Sequence, residues 1–175
     1  MPQINAQSNN TCAISNKQMQ NGSSLNYQLY SNTQYGISME CPNRWVINES
    51  IDPGNIVVFY APQDNNSNSS KAVLGIYIQD FTFLNNTNMT LDSYSNILLN
   101  TLQNQSVNIT KSSYTNIDKN QAYEVVFKDN EGFKVYYAWT IKNNKAYVIL
   151  FIATDQEYTK YLNYINGIVN SLRIK

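Results

Sequence analysis

With 175 residues, twelve basic and twelve acidic side chains and no histidine, the chain is electrically balanced and long enough for one domain with its own core. Only two of the cations, Arg44 and Arg173, are arginines, so the basic footprint of a nucleic-acid binder and the bidentate clamps of a phosphate site are missing. The lack of histidine excludes Ser-His-Asp and Cys-His nucleophile sets and His-ligated zinc or copper, and no apolar run reaches the roughly 18 residues of a membrane-spanning helix.

Residues 1–24 are polar, rich in Asn, Gln and Ser, and show no period, which predicts a tail or linker ahead of a domain over 25–175. The opening MPQINAQSNN has neither the basic nor the apolar region of an export signal, so the chain is either cytosolic or one from which a signal or anchor has been removed. Strand patterns begin at Leu25. Tyr27 and Leu29, with Tyr30 as a weaker partner, lead through a Ser-Asn-Thr turn to Tyr35, Ile37, Met39 and Cys41, which alternate onto one face. Pro42 cannot donate to a ladder and ends that strand. The turn after it delivers Trp45 as a large apolar cover, with Val46 and Ile47 returning to the core. Trp45 is therefore expected to lie buried beside the Leu162–Val169 side of the last helix or the strand before it.

Ile56–Pro62 and Ala72–Phe81 read as a hairpin around the polar loop QDNNSNSSK, and both faces of its second strand are apolar. Thr90 caps a helix with Asp92 in its first turn, and Leu91, Tyr94, Leu98 and Leu102, widened by Ile97, form its apolar stripe. Four more strands follow, VNITKSSYTNI, AYEVVF, FKVYYAWTI and AYVILFIAT. The last two are joined at Asn143-Asn144, residues that tolerate the positive φ of a tight hairpin turn. Thr154-x-x-Glu157 is a capping box opening the final helix, whose stripe is Tyr158, Tyr161, Leu162, Ile165, Ile168, Val169 and Leu172.

Asparagine points to a compartment. Nine Asn-x-Ser/Thr sequons occur, at Asn9, Asn21, Asn48, Asn65, Asn68, Asn85, Asn88, Asn104 and Asn108, where 28 asparagines and 27 serines and threonines would give about four by chance. Most fall where loops are expected, as acceptors must. The expectation is an exported, glycosylated surface protein, against the alternative of an asparagine-rich genome. In an oxidising location Cys12 and Cys41 have one intramolecular pairing, and that disulfide would tie the tail to the domain. The alternative is two thiols, with Cys41 a small apolar residue in the core. Neither cysteine belongs to a Cys-x-x-Cys pair.

The ordered set YGISMECPNRWVI, VVFYAP, a helix opened by MTLDSYSN, KNQAYEVVF, YYAWTIKNNKAYVILFIAT and EYTKYLNYINGIVNSLRI resembles the PsbP-like branch of the Mog1/PsbP superfamily over about residues 25 to 175. The resemblance implies an α+β fold, an α/β/α sandwich around an antiparallel sheet of about six strands. It also implies action by binding a partner rather than by catalysis. Plant members are lumenal extrinsic subunits of photosystem II that help retain calcium and chloride, Mog1 binds the GTPase Ran, and bacterial and archaeal relatives include many exported proteins. This chain departs from the plant pattern. It has no histidine for the metal site proposed there and no lysine-rich docking surface, and its Asn-rich tail is closer to exported archaeal members.

Chemistry-bearing sets are few. There is no G-x-G-x-x-G, P-loop or EF-hand loop. Among strand carboxylates, Glu40, Asp80 and Glu124 read as solvent-side residues rather than a glycosidase pair. Asp129 and Glu131, in Lys128-Asp129-Asn130-Glu131-Gly132, are weak calcium candidates within a hairpin turn. The fourteen tyrosines suit strand and core-edge positions, or a sugar- or partner-binding surface. The expected function is a non-catalytic extracytoplasmic accessory domain that binds a protein or cell-surface partner, with no cofactor and no stoichiometric zinc or copper. The alternatives are a carboxylate-based carbohydrate-active enzyme and a small-ligand or calcium-binding module.

Overall fold

The computed structural model describes residues 13–15, 27–49, 54–62, 72–82 and 88–175. A seven-stranded antiparallel sheet runs in the order β4 (Val46–Asn48), β5 (Asn55–Tyr60), β6 (Ala72–Asp80), β10 (Lys145–Ala153), β9 (Lys134–Lys142), β8 (Asn120–Lys128) and β7 (Asn108–Ile117). One face carries α1 (Leu91–Asn104). The other carries α2 (Asp155–Ser171) and, beside it, a smaller sheet ordered β1 (Ala13–Ser15), β2 (Tyr27–Asn32), β3 (Ile37–Pro42) and β11 (Arg173–Ile174). The result is three layers with two apolar cores.

The two-residue period of the strands sorts side chains between those cores. In β10, which pairs with β6 on one side and β9 on the other, Tyr147, Ile149, Phe151 and Ala153 face α2. Ala146 and Val148, with Leu150 and Ile152 packed beside them, face α1. That double burial is why the strand reads as apolar throughout. The helices bury the expected stripes: Tyr94 and Leu102 from α1, and Tyr158, Tyr161, Ile165, Ile168 and Val169 from α2. Thr90 and Thr154 cap them by accepting from the backbone N–H groups of Ser93 and Glu157. Ile97 and Leu162, expected in those stripes, lie at their margins and are exposed.

Several local expectations at the start of the domain are corrected, and the early hairpin has its own place in the fold. The central sheet has seven strands rather than about six, because the three-residue β4, too short to show a period, adds an edge to β5. Val46 points to solvent there and is 64% exposed. The early hairpin lies outside the central sheet: β3 ends at Pro42, whose carbonyl accepts from Trp45 N at 3.2 Å, and the chain then enters a different sheet. Within that hairpin Tyr30, not Leu29, faces the core. Cross-strand partners share a face, and Tyr30 pairs with Met39 while Leu29 pairs with Glu40. Tyr35 sits in the turn, at the border of exposure. Ala13–Ser15, within the stretch read as a tail, pairs with Tyr27–Leu29.

Residues 173–175 close the small sheet. Ile174 pairs with Ile37, its N–H donates to Asp118 Oδ2 at 2.8 Å, and Lys142 Nζ donates to its carbonyl. Lys175 N donates to the Gly36 carbonyl at 2.8 Å.

The β9–β10 turn has Asn143 and Asn144 at φ 52° and 57°, as the sequence implies. Asn144 also holds a neighbouring segment. Its Oδ1 accepts from Met89 N at 2.8 Å, its Nδ2 donates to the Phe81 carbonyl at 2.9 Å, and its own carbonyl accepts from Phe81 N at 3.0 Å. Asn144→Ala is expected to lose about 2–3 kcal/mol, from two side-chain hydrogen bonds and an unfavourable left-handed alanine. Asn144→Gly should lose about 1 kcal/mol less, since only the hydrogen bonds go. Urea denaturation of both variants checks this; a loss below about 0.5 kcal/mol for alanine contradicts the clamp.

Candidate functional site

Strand register brings distant residues together on the α1 side of the sheet. Gly75 pairs with Leu150, which pairs with Tyr137; one row along, Tyr77 pairs with Val148, which pairs with Trp139. The Tyr77 ring lies across Gly75, in space that any Cβ there would need. Trp139 Nε1 donates to Ser95 Oγ at 2.9 Å, both groups being buried, which anchors α1 over β9. Tyr94 is thereby set edge-on to Phe81 and Trp139, at 5.5 and 6.3 Å between ring centres.

Between α1 and β6 these residues leave a cavity of about 340 Å³, lined by Gly54, Tyr77, Ile78, Gln79, Tyr94, Tyr137, Val148 and Leu150. Among the described residues no lining side chain is charged. Tyr94 Oη donates to Gln79 Oε1 at 3.1 Å. Burial pushes the phenols of Tyr77, Tyr94 and Tyr137 above the ordinary tyrosine range. Each is raised further by a neighbouring phenol: Tyr60 for Tyr77, Tyr137 for Tyr94 and Tyr77 for Tyr137. The cavity is thus a neutral, aromatic-walled recess whose hydroxyls lie close together.

A second recess, of about 370 Å³, lies on the α2 side among Thr110, Lys111, Glu124, Tyr136, Tyr158, Leu162 and Asn166, with Lys134 at its wall. The expectation that Glu124 is a solvent-side residue is corrected: its side chain is 12% exposed. It accepts from Lys111 Nζ at 2.6 Å and Ser113 Oγ at 3.2 Å. Burial, then the Glu124 charge, raises the phenols of Tyr136 and Tyr158, the latter to about 12. Lys134 Nζ stands 4.5 Å from the Tyr158 ring centre. A third groove, of about 380 Å³, runs between the small sheet and α2 past Tyr27, Glu40, Gly167, Ser171 and Arg173. The Tyr27 hydroxyl is buried there against Gly167, with no hydrogen-bond partner among the described residues.

Asn48, Asn88, Asn104 and Asn108 are all exposed. Asn9, Asn21, Asn65, Asn68, Asn85 and Cys12 lie outside the described residues. Cys41 is fully buried, with its Sγ 3.4 Å from the Gln28 carbonyl. Ile14 of β1 stands opposite Gln28, which stands opposite Cys41. Asp129 and Glu131 sit in the β8–β9 turn, where Asp129 Oδ1 accepts from the N–H groups of Glu131 and Phe133 at 3.0 and 2.8 Å. Asp80 is exposed and pairs with Lys145 at 3.0 Å. Among the described residues no three Asp, Glu or Cys side chains converge as a metal site.

The antiparallel sheet between α1 and a layer shared by α2 and a small sheet is the Mog1/PsbP fold. The chain is similar to the solution structure of the cyanobacterial PsbP (CyanoP) of Synechocystis sp. PCC 6803, with a TM-score of 0.61 at 14% identity, covering 91% of this chain and 98% of that one. It is also similar to the Saccharomyces cerevisiae Ran-binding protein Mog1p, with a TM-score of 0.57 at 7% identity over 86% of this chain and 96% of that one. The structure of a Mog1 point mutant gives 0.54 at 9% identity, over 85% and 96% of the two chains. At these identities the likeness concerns the fold. No protein-family model matches the sequence, and no curated protein is similar to it in sequence.

Proposed function

We propose that this chain is a non-catalytic, extracytoplasmic accessory domain that binds a partner through the α1-side recess. The supporting observation is the recess itself: aromatic, neutral and open beside the half-buried Tyr77 and Leu150, which is the character of a recognition surface. Glycosidase chemistry needs two carboxylates facing one cleft, whereas the described residues of the three recesses contribute none, Glu124 alone and Glu40 alone. One protein of the same fold, Mog1p, is a Ran-binding protein, so the fold serves partner binding at least once.

Export rests on the excess of sequons in the sequence, and the four described sequon asparagines are exposed, as a glycan acceptor must be. The Cys12–Cys41 disulfide belongs to the same proposal. Intact mass of protein from its native source is expected to exceed the sequence mass by glycan additions and to rise by two hydrogens on reduction. An unmodified mass and two titratable thiols in the unfolded chain overturn this part.

Partner binding is tested by co-purification from native membranes with Tyr77→Ala alongside wild type. A partner held by wild type and lost by the variant supports the site; equal retention, or no partner, contradicts it.

A further inference from the structure

Resting on the proposal that the α1-side recess is the binding site, we infer that its ligand is an uncharged saccharide, one or two rings of a neutral glycan. Four features converge on that class. The described wall residues carry no charge, and an ionic group entering the recess would lose hydration with no counter-ion among them. A carboxylated or phosphorylated ligand is therefore disfavoured. Tyr77 and Tyr137 line the recess together with the aliphatic Val148 and Leu150, and aromatic side chains are the groups on which the C–H face of a pyranose packs. The volume, about 340 Å³, is at the small end of ligand pockets, which suits one or two rings rather than a chain.

The fourth feature separates a sugar from an apolar side chain of a protein partner. Tyr77, Tyr94 and Tyr137 bring phenol hydroxyls to this one recess, and Gln79 adds a side-chain amide whose oxygen accepts from Tyr94. Tyr94 and Gln79 already satisfy each other, but an aliphatic or phenyl anchor would seal the Tyr77 and Tyr137 hydroxyls away from water. A hydroxylated ring satisfies them, because each sugar hydroxyl both donates and accepts.

Trp139 provides the reporter. Its indole N–H is fixed to Ser95 of α1, and its ring is 5.1 Å from that of Tyr137. The full chain, ¹⁵N-labelled, is titrated with neutral hexoses, N-acetylhexosamines and their disaccharides, and with the matching uronic acids. Millimolar affinity is expected for at least one neutral sugar, with shifts at the Trp139 indole and the Gly75 and Gln79 amides. The corresponding uronic acid should bind at least tenfold more weakly. Tyr94→Phe, which removes one hydroxyl and keeps the ring, should weaken the sugar several-fold while leaving thermal stability close to wild type. Absence of shifts with every neutral sugar, or equal binding of the charged ones, overturns the inference. If sugars fail but Tyr77→Ala still loses the co-purifying partner, the recess is a protein-docking site and only the saccharide assignment falls. If Tyr77→Ala also keeps its partner, the site itself is wrong.

Discussion

Replacing Trp45 with alanine is expected to destabilise the protein by about 3–5 kcal/mol, the cost of an aromatic-sized void in a core that cannot collapse around it. The side chain is 5% exposed and meets Tyr161 of α2 edge-on at 5.0 Å, with Phe151 of β10 at 6.4 Å. It therefore joins three pieces: the turn after β3, the central sheet and α2. The placement agrees with the sequence expectation of the strand before the last helix, the helical contact falling one residue ahead of Leu162. Trp45→Phe keeps most of the apolar area and should lose roughly half as much. For a chain of this size the alanine loss corresponds to a melting shift on the order of 10 °C. A loss below about 1 kcal/mol in chemical denaturation shows that the ring is not a structural tie.

Alkali should unfold this protein cooperatively rather than merely titrate it. Burial raises the phenols of Tyr94, Tyr136 and Tyr158, with Glu124 adding to the last two and Tyr158 reaching about 12. A tyrosine in the unfolded chain ionises near about pH 10. The folded values are above the unfolded one, so the stability these groups lend is fully present below about pH 10 and is lost as pH rises through the folded values. Phenolate absorbance in the near ultraviolet and loss of near-ultraviolet circular dichroism are expected to rise together above that point. Tyr136→Phe removes one ionising group and should move the transition to higher pH. A broad titration centred near about pH 10 with the dichroism unchanged contradicts the expectation.

What can be read in the sequence is whatever is local in cause. Thr90 and Thr154 cap helices through hydrogen bonds to residues three positions on, and Asn143-Asn144 makes its turn from its own backbone preference. Met39 and Cys41 are legible as inward residues because alternation needs only a short window. Leu29 is misread because hydrophobicity alone cannot choose between adjacent residues of β2; the choice belongs to β3, through the Tyr30–Met39 pairing. Glu124 reads as solvent-facing for a similar reason, since Lys111, Ser113 and Tyr136 reach it only once β7, β8 and β9 are side by side. The recess is illegible altogether. Tyr77, Tyr94 and Tyr137 come from three elements, and no spacing in the sequence marks them apart from the other tyrosines.

The two-residue strand β11 sets an order of events during folding. The strands β7 to β10 follow one another as hairpins and need close only short loops, so this meander can form early. The pairing of Ile174 with Ile37 joins residues 174 − 37 = 137 positions apart and yields only a short ladder. It becomes favourable once α2 has docked and brought residue 173 to the edge of β3. The β3–β11 edge of the small sheet is thus the last pairing to consolidate and the first to open. Amides of Ile174 and Lys175 should exchange with solvent through local openings well before those of β9 and β10. Transient release of that short strand would bare the edge of β3, adding a segment open to pairing with a second copy during refolding to the standing edges β4 and β7.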